Sequence, residues 1–341
     1  MMSSTLAGTS ADGGPDHMAA TAREGMVDLI GVVMIGRNEG ERLVLGLRSI
    51  PSDLPIVYVD SGSTDGSVAF ARSIGAEVVN LDMQQPFTAA RARNEGAARL
   101  LELEPHIRMI QFLDGDCEME QGWLAAAAEF LAQKPSVAAV CGRRRERYPD
   151  ASFYNRLCDE EWNTPVGKAN ACGGDALYRV EAWRAVGGFD PIMIAGEEPE
   201  LCQRLRSNGW TIWRLGEPMT IHDADMHHWR QWWMRAVRSG FGYAQVMHKS
   251  GQHLYLREVT SALFWTLGVV LVALLAFALI GPWGLLMAPL IWSTQMVRLT
   301  VRKGGRRAFH LLLGKIPETI GVLRYGSKAL RGGTQGAIFY K

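Results

Sequence analysis

Met109-Ile110-Gln111-Phe112-Leu113-Asp114-Gly115-Asp116 decides how this chain is read. Its first five residues make a short, mostly apolar strand, and the strand stops at two carboxylates separated by one glycine. Carboxylates so spaced can reach one hard divalent cation. Magnesium or manganese takes such oxygen ligands and leaves positions open for phosphate oxygens. The competing use of Asp-x-Asp is a turn or helix cap.

Outward from this stretch, strands and helices alternate. Asp28–Ile35, Leu54–Val59, Glu77–Leu81 and Val137–Cys141 are further apolar runs of strand length. Glu39–Ile50, Asp65–Ile74, Phe87–Leu103 and Gln121–Gln133 read as helices between them. Such alternation predicts βαβ units: an α/β fold with a mostly parallel, Rossmann-like sheet flanked by helices. Ligands of these sheets sit beyond the carboxyl ends of the strands. Asn38, Asp60 and Asp114 follow three strand ends and are expected at one edge. From Gly142 to His222 the pattern is less regular, with helices at Val180–Val186 and Pro199–Ser207. Gly173-Gly174 suits either a close backbone approach or a simple turn.

Three more groups can carry chemistry. In Asp60-Ser61-Gly62-Ser63-Thr64-Asp65, Asp65 is placed to cap a helix, and Asp60 can accept hydrogen bonds from a base or ribose. Arg91 and Arg93 follow Pro86 on a helix, where either can face a pyrophosphate or solvent. Glu197-Glu198-Pro199-Glu200 precedes a helix, as caps do, and equally as a general base held near a sugar would.

The chain has 341 residues and a formal net charge of +1, which argues against a nucleic-acid binder. The charge is uneven. From Arg298 onward there are ten basic residues and one acid, Glu318. The five cysteines form no Cys-x-x-Cys pair and are odd in number, so neither a zinc site nor a disulfide framework is expected. Residues 1–25 read as a disordered leader without a signal peptide. Ser261–Ile280 is twenty residues without a charge, about 30 Å at ~1.5 Å per residue, the thickness of a bilayer core. Gly281-Pro282 makes a turn, and Trp283–Val297 is a second, shorter apolar run. The cations directly after it place that flank in the cytoplasm; the second run either spans or re-enters, and if both runs span they form a hairpin with the preceding domain in the cytoplasm too. In Trp229–Met247, Trp229, Trp232, Trp233, Phe241 and Tyr243 alternate with Arg230, Arg235 and Arg238, a mixture that suits lipid headgroups or a packed core.

Taken together, the motifs resemble family-2 glycosyltransferases of the GT-A fold. The matching pieces are Met34-Ile35-Gly36-Arg37-Asn38-Glu39, Val59-Asp60-Ser61-Gly62-Ser63-Thr64-Asp65-Gly66-Ser67, Ala92-Arg93-Asn94-Glu95-Gly96 and Leu113-Asp114-Gly115-Asp116, then Gly173-Gly174-Asp175-Ala176, Gly187-Gly188-Phe189-Asp190 and Gly196-Glu197-Glu198-Pro199-Glu200-Leu201. Their order and spacing cover roughly residues 28–245, more specific together than any one alone. The resemblance implies that Asn38, Glu39, Asp60, Arg93, Asp114, Gly174 and Asp175 surround a nucleotide-sugar, a UDP-sugar being the commonest donor and GDP- and TDP-sugars the alternatives. It implies a divalent metal, Mn2+ or Mg2+, on Asp114 and Asp116, with His222 a further ligand. It makes Glu198 the base, with Glu197 as the alternative. Gln231, Trp232, Trp233 and Arg235 lie where processive synthases carry Gln-x-x-Arg-Trp, but do not match that motif. They are read as interfacial or acceptor-facing.

The expected organisation is a leader (1–25), a GT-A catalytic domain (26–228), an amphipathic interfacial segment (229–260), a transmembrane hairpin (261–300) and a basic cytoplasmic tail (301–341). The expected enzyme is an inverting glycosyltransferase, a hexosyltransferase at the inner membrane. Its acceptor is a lipid-linked glycan of the exopolysaccharide or envelope type, and other polysaccharide-assembly proteins are possible partners. A sugar-phosphate nucleotidyltransferase shares the sheet and paired aspartates. A noncatalytic membrane-bound scaffold is the reading from another class.

Overall fold

A computed structural model describes residues 27–250 and 254–331. The expected leader, the end of the basic tail from residue 332, and 251–253 lie outside the described residues. The first half follows the alternation: β1 (Ile30–Gly36), α1 (Glu41–Arg48), β2 (Ile56–Asp60), α2 (Ser67–Ser73), β3 (Glu77–Asn80), α3 (Ala89–Leu103) and β4 (Met109–Asp114). β1, β2, β3 and β4 pair in parallel, β1 lying between β2 and β4. The apolar runs of β1, β2 and β4 are buried on both faces, as parallel strands covered by helices require, while the edge strand β3 is half-buried. Gly96 lets α3 lie against the sheet, since a Cβ there would stand 2.5 Å from Val33 Cγ1.

The second half turns the sheet mixed. It continues through β5 (Cys117–Met119), α4 (Trp123–Gln133), β6 (Val137–Glu146), α5 (Phe153–Trp162), β7 (Gly167–Ala169), β8 (Ala176–Arg179), α6 (Val180–Ala185), α7 (Glu197–Ser207) and β9 (Thr211–His222). The main path runs β3-β2-β1-β4-β8-β6-β9-β5, with β7 on β9. β8 is antiparallel to both β4 and β6, β9 is parallel to β6, and β5 and β7 are antiparallel to β9. The sheet is therefore all parallel from β3 to β4 and mixed beyond, where only the β6–β9 pairing is parallel. The reversal at β8 carries Gly173-Gly174-Asp175 back to the carboxyl end of β4.

After the sheet, α8 (Trp229–Ser250) leads to α9 (Leu256–Leu263), a π-helical turn at Phe264–Gly268 and α10 (Val269–Ile280). The chain reverses through a 3₁₀ turn at Gly281–Leu286, where Gly281 has φ +69°. α11 (Met287–Lys303) then returns along α10, and Trp292 Nε1 donates to Trp265 O at 3.0 Å. In the most apolar window of Leu256–Lys303 only 11% is buried by protein, so this stretch offers an apolar surface to a bilayer.

The described part of the basic tail folds back onto the domain. It forms α12 (Gly305–Leu313) and α13 (Lys315–Leu330). α13 packs backbone to backbone on α8: a Cβ at Gly321 would lie 2.1 Å from Val237 O, and one at Gly240 2.0 Å from Glu318 O. The aromatic residues of α8 are divided accordingly. Trp232 is buried against Tyr154 and His310, and Phe241 against Tyr325, while Trp229 is exposed.

Candidate active site

The carboxyl ends of β1 and β4 open into a cavity of about 540 Å³. Its lining includes Asn38, Glu39, Arg93, Asp114, Asp116, Glu197, Glu198 and His222, residues that the sequence scatters over 185 positions. That volume falls within the range of small-molecule sites.

Arg93 is the hub. α3 starts at Thr88, whose hydroxyl accepts from Arg91 N at 3.0 Å and donates to Pro191 O at 2.7 Å. Two residues beyond Arg91, the buried Arg93 donates through Nη2 to Asp114 Oδ1 at 2.7 Å and through Nη1 to Glu197 Oε1 at 2.9 Å. The same Nη1 lies 3.3 Å from Glu198 Oε1. Arg91 instead binds the carbonyls of Asp82 and Pro86, which resolves the choice between the two arginines. Burial opposes the charge on Arg93, but Asp114, Glu198 and Glu197 outweigh it and keep the guanidinium firmly protonated.

Asp114 is fixed by its own backbone as well. Its N donates to Asp175 Oδ1 at 3.1 Å, and Thr220 Oγ1 donates to Asp175 Oδ2 at 2.8 Å. Burial would raise the pKa of Asp114, yet Arg93 and then Arg144 hold it below the usual carboxylate value. Gly174 is confirmed as a close approach rather than a simple turn: a Cβ there would meet Arg93 Nη2 at 2.5 Å and Asp114 Oδ2 at 2.6 Å.

The base candidates begin a helix instead of preceding one. Glu197 and Glu198 are in the first turn of α7, where carboxylates favour the helix dipole. Burial, then the neighbouring charge of Glu197, push the pKa of Glu198 up to about 8. α8 secures the approach to this turn. Gln245 Oε1 accepts from Ile194 N at 3.1 Å and Gln245 Nε2 donates to Ile192 O at 3.1 Å.

At the outer end, Asp116, Cys117 and His222 present ligand atoms all within 4.8 Å of one another. β5 pairs Cys117 with His222. His222 Nε2 is 3.4 Å from Asp116 Oδ1, and its buried Nδ1 has no hydrogen-bond partner among the described residues. Burial, and then the charge of Arg144, bring the His222 pKa down to about 3, so the imidazole is neutral and available as a ligand. A carboxylate oxygen and an imidazole nitrogen at this spacing could hold a divalent ion.

Other expected residues sit further out. Asn38, in the left-handed region at φ +54°, accepts from Thr64 N at 2.7 Å and ties the β1 and β2 loops together. Asp60 accepts from Gly62 N and Ser63 N at 2.9 and 2.8 Å and from Tyr58 OH at 3.1 Å, so its carboxylate shapes its own loop. Asp65 stands one residue before the cap position, held by Gly66, yet still accepts from Ser67 N at 3.1 Å. Gln231 caps the start of α8 by accepting from His227 N and His228 N, each at 2.8 Å. Arg235 pairs with Glu161 at 2.6 Å. None of Gln231, Trp232, Trp233 and Arg235 lines the cavity; Arg238, one turn beyond Arg235, does. The sequence points to Arg238 only as one cation of the aromatic-basic stretch, and not to Arg144. The spacing from Arg235 along one helix face was the signal for the first, and the alternation within Arg143-Arg144-Arg145 for the second.

Residues 32–184 match the family model described as "Glycosyl transferase family 2". The chain is similar to the succinoglycan biosynthesis protein ExoA of Rhizobium meliloti (strain 1021), 27% identical over 195 residues, 53% of this chain and 58% of that protein. The match thus spans somewhat over half of ExoA. The glycosyltransferase AglE of Haloferax volcanii is 25% identical over 254 residues, 70% of this chain and 80% of AglE. Among solved structures, the mannosyltransferase PcManGT from Pyrobaculum calidifontis, in complex with GDP-Man and Mn2+, superposes with a TM-score of 0.59. It is 20% identical and covers 90% of this chain and 94% of its own, a likeness of fold.

Proposed function

We propose that this protein is an inverting hexosyltransferase that moves a sugar from a nucleotide-sugar, UDP-linked in the first instance, to a lipid-linked acceptor in polysaccharide assembly. The observation that carries the reading is the guanidinium of Arg93, which ties Asp114 to the Glu197–Glu198 pair across one cavity. A charged donor head and an acceptor base then share a site whose parts are fixed before substrate arrives.

Asp116 and His222 would hold the divalent ion, with Asp114 beside them. When bound, the ion offsets charge on the departing nucleoside diphosphate. Asn38 and Glu39 line the cavity and would face the nucleotide; Asp60 and Gly174, outside that lining, would act by holding the β2 loop and Asp114, and Asp175 orients Asp114. Glu198, with its raised pKa, takes the proton from the attacking acceptor hydroxyl as the anomeric bond to the nucleotide breaks. A single displacement inverts the anomeric centre. Glu197 keeps Arg93 neutralised when Glu198 carries that proton.

The apolar α10–α11 pair supports a membrane hairpin, and the cations Arg298, Arg302 and Lys303 at its end support a cytoplasmic domain at the inner membrane. The name of ExoA supports polysaccharide biosynthesis and that of AglE supports glycosyl transfer; other assembly proteins would be its partners there. Transfer of radiolabelled sugar into organic-extractable lipid by purified protein in nanodiscs tests this. Label entering the lipid fraction from one donor agrees with it. Equal rates with soluble acceptors, and no gain from membrane lipid extract, would remove the lipid acceptor.

A further inference from the structure

Two groups of possible metal ligands sit back to back in this site, and one is already occupied by a side chain. The outer group is Asp116, Cys117 and His222; the inner is Asp114, Cys117 and Asp175. Between the inner carboxylates lies Arg144, its Nη2 2.8 Å from Asp175 Oδ2 and 3.8 Å from Asp114 Oδ2. The register of β6 against β9 shifts between Cys141 and Arg143 and again between Arg143 and Arg144. Irregularities of this kind re-aim a side chain, and here the chain brings Arg144 inward. Its guanidinium lies 5.6 Å from the Trp162 ring centroid, and the same indole meets His222 edge-on at 4.6 Å. Trp162 thus walls the guanidinium on one side and the imidazole on the other.

We propose that Arg144 is a positioning residue that acts as a built-in cation, occupying the Asp114–Asp175 pair so that a divalent ion is directed to Asp116 and His222. This rests on the metal-dependent reading above. The ion pairs support it. Arg144 pairs with Asp175 and stands beside Asp114, which Arg93 also holds while serving Glu197 and Glu198, so neither inner carboxylate is left bare for a dication. Asp116 and His222 stand on the other side, Asp116 Oδ1 3.4 Å from His222 Nε2. One ion at the outer edge also leaves Asp114 held at its Arg93 contact, where its distance from Glu197 and Glu198 is fixed.

The test is Mn2+ binding in the absence of donor, followed by the paramagnetic resonance signal of free ion and by calorimetry. Wild type is expected to take one ion per chain. Arg144→Gln and Arg144→Met remove the built-in cation, Met keeping more of the stem against Trp162. Each is expected to take an additional ion. Arg144→Gln combined with Asp175→Asn rebalances the inner pair and is expected to return to one ion, a rescue that a merely disturbed fold would not show. Single variants that keep the wild-type circular dichroism yet bind the same number of ions with the same affinity would overturn the proposal. So would an additional ion that persists in the double variant. Failure of wild type itself to bind Mn2+, with or without nucleoside diphosphate, would instead count against the metal-dependent reading.

Discussion

Gly174 stands against Asp114 so closely that a Cβ would lie 2.6 Å from its Oδ2. The contact brings the backbone of the β8 approach under the carboxylate that ends β4, with no room for a side chain. Gly174→Ala is expected to displace Asp114 or Arg93 and lower kcat/KM by about 10²-fold, the scale of a 1 Å misplacement. Steady-state kinetics beside a thermal melt checks this. A variant with wild-type kcat/KM would show that the close contact is dispensable.

Arg93 serves three carboxylates from a buried position, so its removal leaves Asp114, Glu197 and Glu198 without their shared cation. Arg93→Met is expected to destabilise the protein by about 3–5 kcal/mol, the range for breaking a buried pair on one side. Arg93→Lys is expected to fold better but recover little activity, because a point charge cannot fork between the β4 end and α7. Denaturant unfolding in detergent, with activity measured on the same samples, distinguishes the two.

The Glu198 pKa of about 8 implies an acid limb. A base must be deprotonated, so kcat/KM is expected to rise with pH and level off above about 8. Glu197→Gln removes a neighbouring negative charge and is expected to move the limb to lower pH. The linkage to stability has the opposite slope. A folded pKa above the unfolded one means that the native state holds the extra proton. This contribution is complete below the unfolded value of 4.5 and is lost as pH rises through about 8. Glu198→Gln is expected to flatten that loss and to lower kcat by about 10²–10⁴-fold. A profile unchanged by Glu197→Gln would separate the limb from this pair.

Leu271 and Leu275 are more than half exposed on α10. Arginine at both is expected to cost about 2.5–3.5 kcal/mol each if that helix crosses a bilayer. Carbonate extraction of membranes reads the result: release of the double variant with retention of wild type is expected. Equal retention would place the anchoring elsewhere.

How much was legible from sequence follows from how each element is built. β1, β2 and β4 are short, largely apolar runs stopped by Gly36, Asp60 and Asp114, so both the strands and the site edge were readable. β8 is only four residues long and its antiparallel pairing has no local signature, so the mixed half of the sheet was not. β9 carries Gly216 and Pro218 within its twelve residues, which hid a strand that delivers His222 to Asp116. Glu197 and Glu198 were found by their residue types, but the αL conformation of Gly196, at φ +80°, begins the helix at them. The tail read as a basic extension because its charges dominate its composition. Its docking on α8 depends on Gly240 and Gly321 meeting in space, which no local pattern announces.

The most direct test of the central claim is release of nucleoside diphosphate from UDP-, GDP- and TDP-sugars in detergent or nanodiscs, with and without manganese. Wild type, Asp116→Ala and Glu198→Gln are compared, with a membrane lipid extract as acceptor. Metal-dependent release from one donor, abolished in Asp116→Ala and strongly reduced in Glu198→Gln, is the predicted result. Release that is unaffected by either substitution, or absent from wild type with every donor, would contradict the account.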